Sequence, residues 1–123
     1  MTYRFVIPGR LPGLNEMIRE ARGSKYAAAK TKRALTEMCG WEAKRQHVPP
    51  MTGPIILSVL WVEKDMRRDI DNIAAGGTKA ILDGLQLVNI IANDGWKQVS
   101  GIVHRFTVDK NNPHIIVELM EVE

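Results

Sequence analysis

Residues 55–85 read IILSVLWVEKDMRRDIDNIAAGGTKAILDGL, and the change of period inside this stretch sets the fold. Ile55 to Val62 is rich in β-branched and aromatic residues, which predicts a central strand. A charged run follows, Glu63-Lys64-Asp65-Met66-Arg67-Arg68-Asp69. Helical spacing then takes over at Ile73, Ile81, Leu82 and Leu85. Gly76-Gly77 interrupts that spacing, and each glycine costs a helix interior about 1 kcal/mol relative to alanine.

Towards the N-terminus, Tyr3, Phe5 and Ile7 alternate with Arg4 and Val6 and predict a short strand. Pro8-Gly9 and Pro12-Gly13 end it and open a loop. Residues 19–33 are basic and small, which predicts a flexible arm running into a helix. Ala34, Leu35, Met38 and Trp41 give that helix its apolar stripe, and Pro49-Pro50 stops it. Towards the C-terminus, Asn93-Asp94-Gly95 is a turn signal. Val99 to Val108 and His114 to Val122 read as strands joined by a hairpin loop, Asp109-Lys110-Asn111-Asn112-Pro113. Trp41, Trp61 and Trp96 are expected in or near the core. The order is β-α-β-α-β-β, so the fold class is α+β: a small mixed sheet with two helices, in one domain over residues 1–123.

A chain of 123 residues suits one core. Apolar residues at 45% and charged residues at 25% are an ordinary globular balance. No apolar run is long enough to span a membrane, and the first residues lack the apolar stretch of a signal peptide. The expected location is the cytoplasm. The single cysteine, Cys39, excludes an internal disulfide framework and a cysteine zinc cage. The net charge of +3 is unevenly spread: residues 1–50 hold 10 Lys+Arg against 4 Asp+Glu, and residues 51–123 hold 7 against 10. Cations in one half and carboxylates in the other suit a polyanion-binding surface beside a metal-binding cluster; chance asymmetry on a solvated surface is the competing reading.

Arg67-Arg68-Asp69-Ile70-Asp71-Asn72 is the strongest local feature. In an extended segment, two aspartates two positions apart project to one side, about 6.5–7 Å apart at Cα. That spacing can embrace a hard cation such as Mg²⁺, which takes one or two carboxylates and leaves room for phosphate oxygens. Inside a helix the two would point apart, so the pair has to sit at a strand end or a helix start. The competing reading is that Asp71 or Asn72 only caps the helix. Taken alone, Asp94 is more often a turn residue than a ligand, and Lys79 is usually a solvated lysine, whose spacing to Asp83 permits an ion pair of about 0.3 kcal/mol. His47, His104 and His114 show no metal-ligand spacing. No Gly-rich phosphate loop, nucleophile elbow or dinucleotide fingerprint is present.

Taken in order, these pieces resemble the RusA-like Holliday junction resolvases. The pattern is a strand, a loop with Asn15, a basic stretch, a strand, and Arg68-Asp69-Ile70-Asp71-Asn72. Lys79-Ala80-Ile81-Leu82-Asp83-Gly84-Leu85 follows, then Asn93-Asp94 before Val99. The resemblance spans nearly the whole chain and has two departures. About four extra residues, including Gly76-Gly77, precede Lys79 and shift it by about 6 Å along a continuous helix. The acidic pair that some members carry at the third site is Asn93-Asp94 here.

The resemblance implies a metal-dependent endodeoxyribonuclease for branched DNA and four-way junctions, active as a homodimer, in a family common on prophages. It implies Asp69, Asp71 and Asp94 as ligands of Mg²⁺, with Mn²⁺ as a substitute, and Lys79 as a catalytic cation. DNA-phosphate contacts are expected from Asn15, Arg19, Arg22, Lys25, Lys30, Lys32, Arg33, Arg67 and Arg68. A DNA-facing position is the alternative for Trp96. The rival functions are a nuclease for flaps or forks, a catalytically silent DNA-binding protein, and a structural interaction domain.

Overall fold

The strand at Ile55–Glu63 forms as its composition predicts, and the rest of the fold is arranged on it. In the computed structural model, which describes residues 1–122, the order is β1 (Thr2–Pro8), α1 (Leu14–Gly23), α2 (Lys25–Arg45), β2 (Ile55–Glu63), α3 (Ile70–Leu87), β3 (Val99–Val108) and β4 (His114–Glu121). The four strands make one mixed sheet in the order β1-β4-β2-β3. β4 runs antiparallel to both β1 and β2, and β2 runs parallel to β3. The fold is α+β, with three helices.

Alternate residues of the inner strands are buried on one face: Leu57, Val59 and Trp61 of β2 lie opposite Leu119, Val117 and Ile115 of β4. α3 covers that face through Ile73, Gly77, Ala80, Ile81 and Leu85, at the three-and-four spacing of an amphipathic helix. The third element of the packing is α2, which buries Cys39, Gly40 and Ala43.

Four expectations are corrected. The arm at residues 19–33 is helical. Ser24, in extended backbone, ends α1 by donating its N–H to the Glu20 carbonyl (3.0 Å). The same residue caps α2, its hydroxyl accepting the Ala27 N–H at 3.1 Å. The Ala27-Ala28-Ala29 run then propagates the helix. The two expected helices therefore become three.

The segment between the last two strands is not a hairpin loop. β4 crosses to the far side of β2 and inserts between β2 and β1. Burial explains the exchange: β4 carries Ile115, Val117 and Leu119 and takes the inner place, whereas β3, with Ser100 and Arg105 exposed, suits an edge.

Gly76-Gly77 does not interrupt α3. A Cβ on Gly76 would lie 2.5 Å from the Pro12 carbonyl oxygen, and one on Gly77 would lie 2.5 Å from the Trp61 ring. The pair lets α3 approach this chain's own loop and strand, and that packing offsets the low helix propensity of glycine.

Trp61 is buried, but Trp41 is 62% exposed and Trp96 is 95% exposed. The cause for Trp41 is the crossing of α2 over α3. There Gly40 meets Gly84 so closely that a Cβ on Gly84 would stand 2.6 Å from the Gly40 nitrogen. The buried stripe of α2 runs through residues 39, 40 and 43, and Trp41 points away from it.

Candidate active site

β2 ends on Glu63, which is 4% exposed and the only charged residue of the buried set among the described residues. A buried carboxylate is costly unless it is paired and hydrogen-bonded. Arg68 supplies the pair by folding back across the turn. Its Nε donates to Glu63 Oε1 at 3.0 Å and its Nη2 to Oε2 at 2.9 Å, a two-pronged contact. The remaining Nη1 donates to the Leu11 carbonyl at 2.9 Å and to Glu16 Oε1 at 3.0 Å. Arg10 Nη1 adds a longer contact to Glu63 Oε1, at 3.4 Å. Burial acts to raise the Glu16 carboxyl, but the Arg68 hydrogen bond, the Gly13 N–H and the nearby guanidinium charges outweigh it, so it titrates below the usual value.

This network fixes the chain one residue before Asp69. Asp69 is the N-cap residue of α3, in extended backbone, and its carbonyl accepts the Ile73 N–H at 3.1 Å. Its side chain makes no cap hydrogen bond, which leaves the carboxylate exposed. Asp71 lies in the first helical turn, exposed, with one oxygen accepting the Asn72 N–H at 2.9 Å. The two aspartates thus sit at a helix start, where the positive end of the helix dipole favours anions. An open cavity of about 420 Å³ adjoins Asp69, lined also by Asp65, Ile70, Ile73 and Phe106 among others.

Asn72 does not cap the helix with its side chain. Its Oδ1 accepts the Asn15 N–H at 2.8 Å, across 57 residues of sequence. Gly13 permits the contact, because a Cβ there would fall 2.5 Å from the Asn72 side chain. The start of α1 is therefore pinned to the start of α3, and Asn15 stands beside Asn72. Arg19 and Arg22 on α1, and Lys25, Lys30, Lys32 and Arg33 on α2, are all exposed and in no ion pair found among the described residues. Arg67 is exposed and pairs loosely with Asp65 at 3.6 Å. Arg68, by contrast, spends its donors inside the protein.

Lys79 and Asp94 meet. The lysine Nζ lies 3.2 Å from Asp94 Oδ2 and 3.1 Å from Asp83 Oδ1. The hydrogen bonds it donates to Asp83 and then Asp94 hold its ammonium above the ordinary lysine value, against the opposing effect of burial. Asp83 is the (i, i+4) partner that the spacing allowed. Cys39, the lone thiol, is buried and its pKa is pushed up to about 12 by loss of solvent, which makes it unreactive.

Carboxylate oxygens are the ligands that a hard cation takes. Asp69 and Asp71 supply two exposed carboxylates, the number that Mg²⁺ commonly draws from protein. Among the described residues, no three Asp, Glu, His or Cys side chains gather closely enough to hold an ion. Asp94 is engaged with Lys79 instead. The sequence singled out Asp69, Asp71, Asp94, Lys79 and Asn15. It gave no role to Glu63 or Glu16 as holders of those groups, it offered Asp83 only as a spacing partner of Lys79, and Asn72 entered only as a motif letter or a cap. A charged residue closing an apolar strand, as Glu63 does, was the available signal.

A family model described as Endodeoxyribonuclease RusA matches residues 8–120, nearly the whole chain. No curated protein matches it. The family consists of Holliday junction endodeoxyribonucleases that are generally dependent on a divalent metal. The matched span takes in the buried Arg68–Glu63 turn, both exposed aspartates, and the Lys79–Asp94 pair. The chain belongs to the RusA family of endodeoxyribonucleases.

Proposed function

We propose that this chain is a structure-selective endodeoxyribonuclease that resolves four-way junctions by paired, symmetric nicks, with Mg²⁺ as its ion and Mn²⁺ as a working substitute. The observation that carries the reading is the pair of exposed carboxylates, Asp69 and Asp71, held at the start of α3 by the buried Arg68–Glu63 contact. Asp69 and Asp71 would hold the cation, and Asp94 would complete the set once Lys79 leaves it. When bound, a divalent cation supplies the Lewis acidity that phosphodiester hydrolysis needs.

The chain's own groups do the rest. The start of α3 attracts a phosphate group to the two aspartates. Lys79 offsets the charge that grows on the phosphate as water attacks phosphorus and the bond to the 3′-oxygen breaks. The products are a 5′-phosphate and a 3′-hydroxyl. The exposed cations of α1 and α2 hold the backbone of the arms without reading sequence.

A C2 homodimer would present two such sites to opposed strands. What supports a dimer here is the sheet face turned away from the helices. It carries Ile56, Leu60, Val103, Ile116 and Met120, none of them fully buried in one chain.

The test is a panel of four-way junction, flap, fork and plain duplex, each with Mg²⁺, with Mn²⁺ and with chelator. Paired nicks on the junction, absent with chelator, are expected. Preferential cutting of flaps or forks would replace the substrate while keeping the chemistry. Cutting in chelator would refute the metal assignment.

A further inference from the structure

The exposed Trp96 has no place in the mechanism above. It is the most exposed of the large apolar residues, at 95%. It is also displayed on an ordered turn. The Val99 and Gln98 N–H groups both donate to the Gly95 carbonyl, at 2.9 and 3.1 Å, and the Gln98 carbonyl is tied to the Ile55 N–H at 2.9 Å. The backbone on either side of the indole is therefore fixed, so its exposure is a matter of presentation rather than fraying. An open groove of about 550 Å³ runs beside it, lined by Asp94, Trp96, Val99, Ser100, Gly101 and Ile102. Its lining includes Asp94, the carboxylate that meets Lys79.

Two classes of partner could cover an indole of this kind: a second protein surface, or a nucleobase. The surroundings favour the base. In sequence, Trp96 sits among Asn93, Asp94, Gly95, Lys97 and Gln98, all polar or without a side chain. The apolar Val99 and Ile102 also line the groove, but the centre of a protein interface is depleted of charge, whereas Trp96 stands between Asp94 and Lys97, and an aromatic beside a cation is how a stacking platform is built. Lys97 adds a cation for the phosphate of the nucleotide that stacks.

We infer that Trp96 is a base-stacking platform that takes an unpaired or unstacked nucleobase at a DNA branch point, delivering the adjoining strand to the groove that Asp94 lines. Duplex DNA hides its base faces, and a branch point exposes them. The indole therefore contributes to selection of branched DNA rather than to general affinity. This inference rests on the reading of the substrate as branched DNA.

The experiment measures binding of full-length protein, in chelator, to a four-way junction and to a duplex of equal length. The junction carries 2-aminopurine at the branch. Trp96→Ala is expected to weaken junction binding by roughly five- to a hundredfold, the span of one lost base–aromatic stack, and to leave duplex binding unchanged. Trp96→Phe should recover most of the loss, and Trp41→Phe on α2 should have no effect. Wild type should quench the 2-aminopurine signal and Trp96→Ala should not.

Equal loss on junction and duplex, or no loss on either, would overturn the inference. So would a Trp96→Ala protein that changes oligomeric state, since the indole would then be an interface between copies. If wild type itself shows no preference for the junction, the substrate reading falls and takes this inference with it. If wild type prefers the junction and Trp96→Ala keeps that preference, only the stacking role falls.

Discussion

Arg68 is the residue on which the site's geometry turns. Its guanidinium satisfies both oxygens of a carboxylate that is almost wholly out of water, and its last donor bridges to the Leu11 carbonyl and Glu16. Removing it leaves Glu63 buried without its main partner. Arg68→Met should therefore cost about 3–5 kcal/mol, read as a lowered midpoint in urea. Glu63→Gln combined with Arg68→Met should cost much less than the two changes added, because no charge is then stranded. Lys79 tells a different story. It is exposed, so its pair with Asp83 contributes only about 0.3–0.5 kcal/mol. Lys79→Met should leave stability nearly unchanged and lower single-turnover cleavage about 10²–10³-fold, the usual loss for one charge-stabilising donor. An unaltered cleavage rate would remove Lys79 from the chemistry. At this scale the candidate residues were legible, because D-x-D spacing and a later aspartate are sequence facts. Their holders were not. That Arg68 turns inwards to Glu63 depends on where β2 ends and on Leu11 and Glu16 lying beside it, and neither is a local property.

Among the elements, the crossing of α2 and α3 is the most sensitive. Gly84 faces the backbone of α2, with the Gly40 nitrogen and the Thr36 carbonyl within 2.7 Å of any added Cβ. Gly84→Ala should force the helices apart and cost about 1–3 kcal/mol, whereas Gly23→Ala, with open space around it, should stay within about 0.5 kcal/mol. β3 carries a second test. His104 Nδ1 accepts the Trp61 indole N–H at 3.0 Å, and an indole nitrogen can only donate, so this ring nitrogen must be unprotonated. Burial lowers the His104 pKa below 6.5. The neutral ring is thus the folded form, and the stability it contributes is present above 6.5 and lost as pH falls through the folded value. Thermal unfolding from pH 8 down to pH 5 should show a decline that His104→Gln flattens. The elements themselves were legible: β2, β3 and β4 follow the apolar and β-branched runs, and α3 follows the helical period. Their neighbours were not. A period of two says which side chains share a face, not which strand lies alongside, so the insertion of β4 between β1 and β2 was hidden. Gly76-Gly77 looks like a break until the loop at Pro12–Leu14 and the Trp61 ring are placed against it.

For the whole molecule, the basic excess of the first fifty residues falls largely on the first two helices. Six cations in no ion pair among the described residues, Arg19, Arg22, Lys25, Lys30, Lys32 and Arg33, lie on α1 and α2, and the acidic residues of the site lie at the start of α3 and in the turn before β3. Contacts from the six basic residues of α1 and α2 to phosphates should give a slope of log affinity against log salt of up to about −5 for duplex arms. Neutralising Lys30, Lys32 and Arg33 together should flatten it by up to about 3 units. A slope unchanged by those substitutions would move the DNA elsewhere. The central claim is that Asp69 and Asp71 carry the chemistry of junction cleavage, and Asp71→Asn in a single-turnover assay on a four-way junction tests it most directly. Paired nicks by wild type in Mg²⁺ are expected, with undiminished junction binding and no nicks by the variant. A variant that cuts as wild type does would contradict it, and the two aspartates would then be no more than the polar start of a helix.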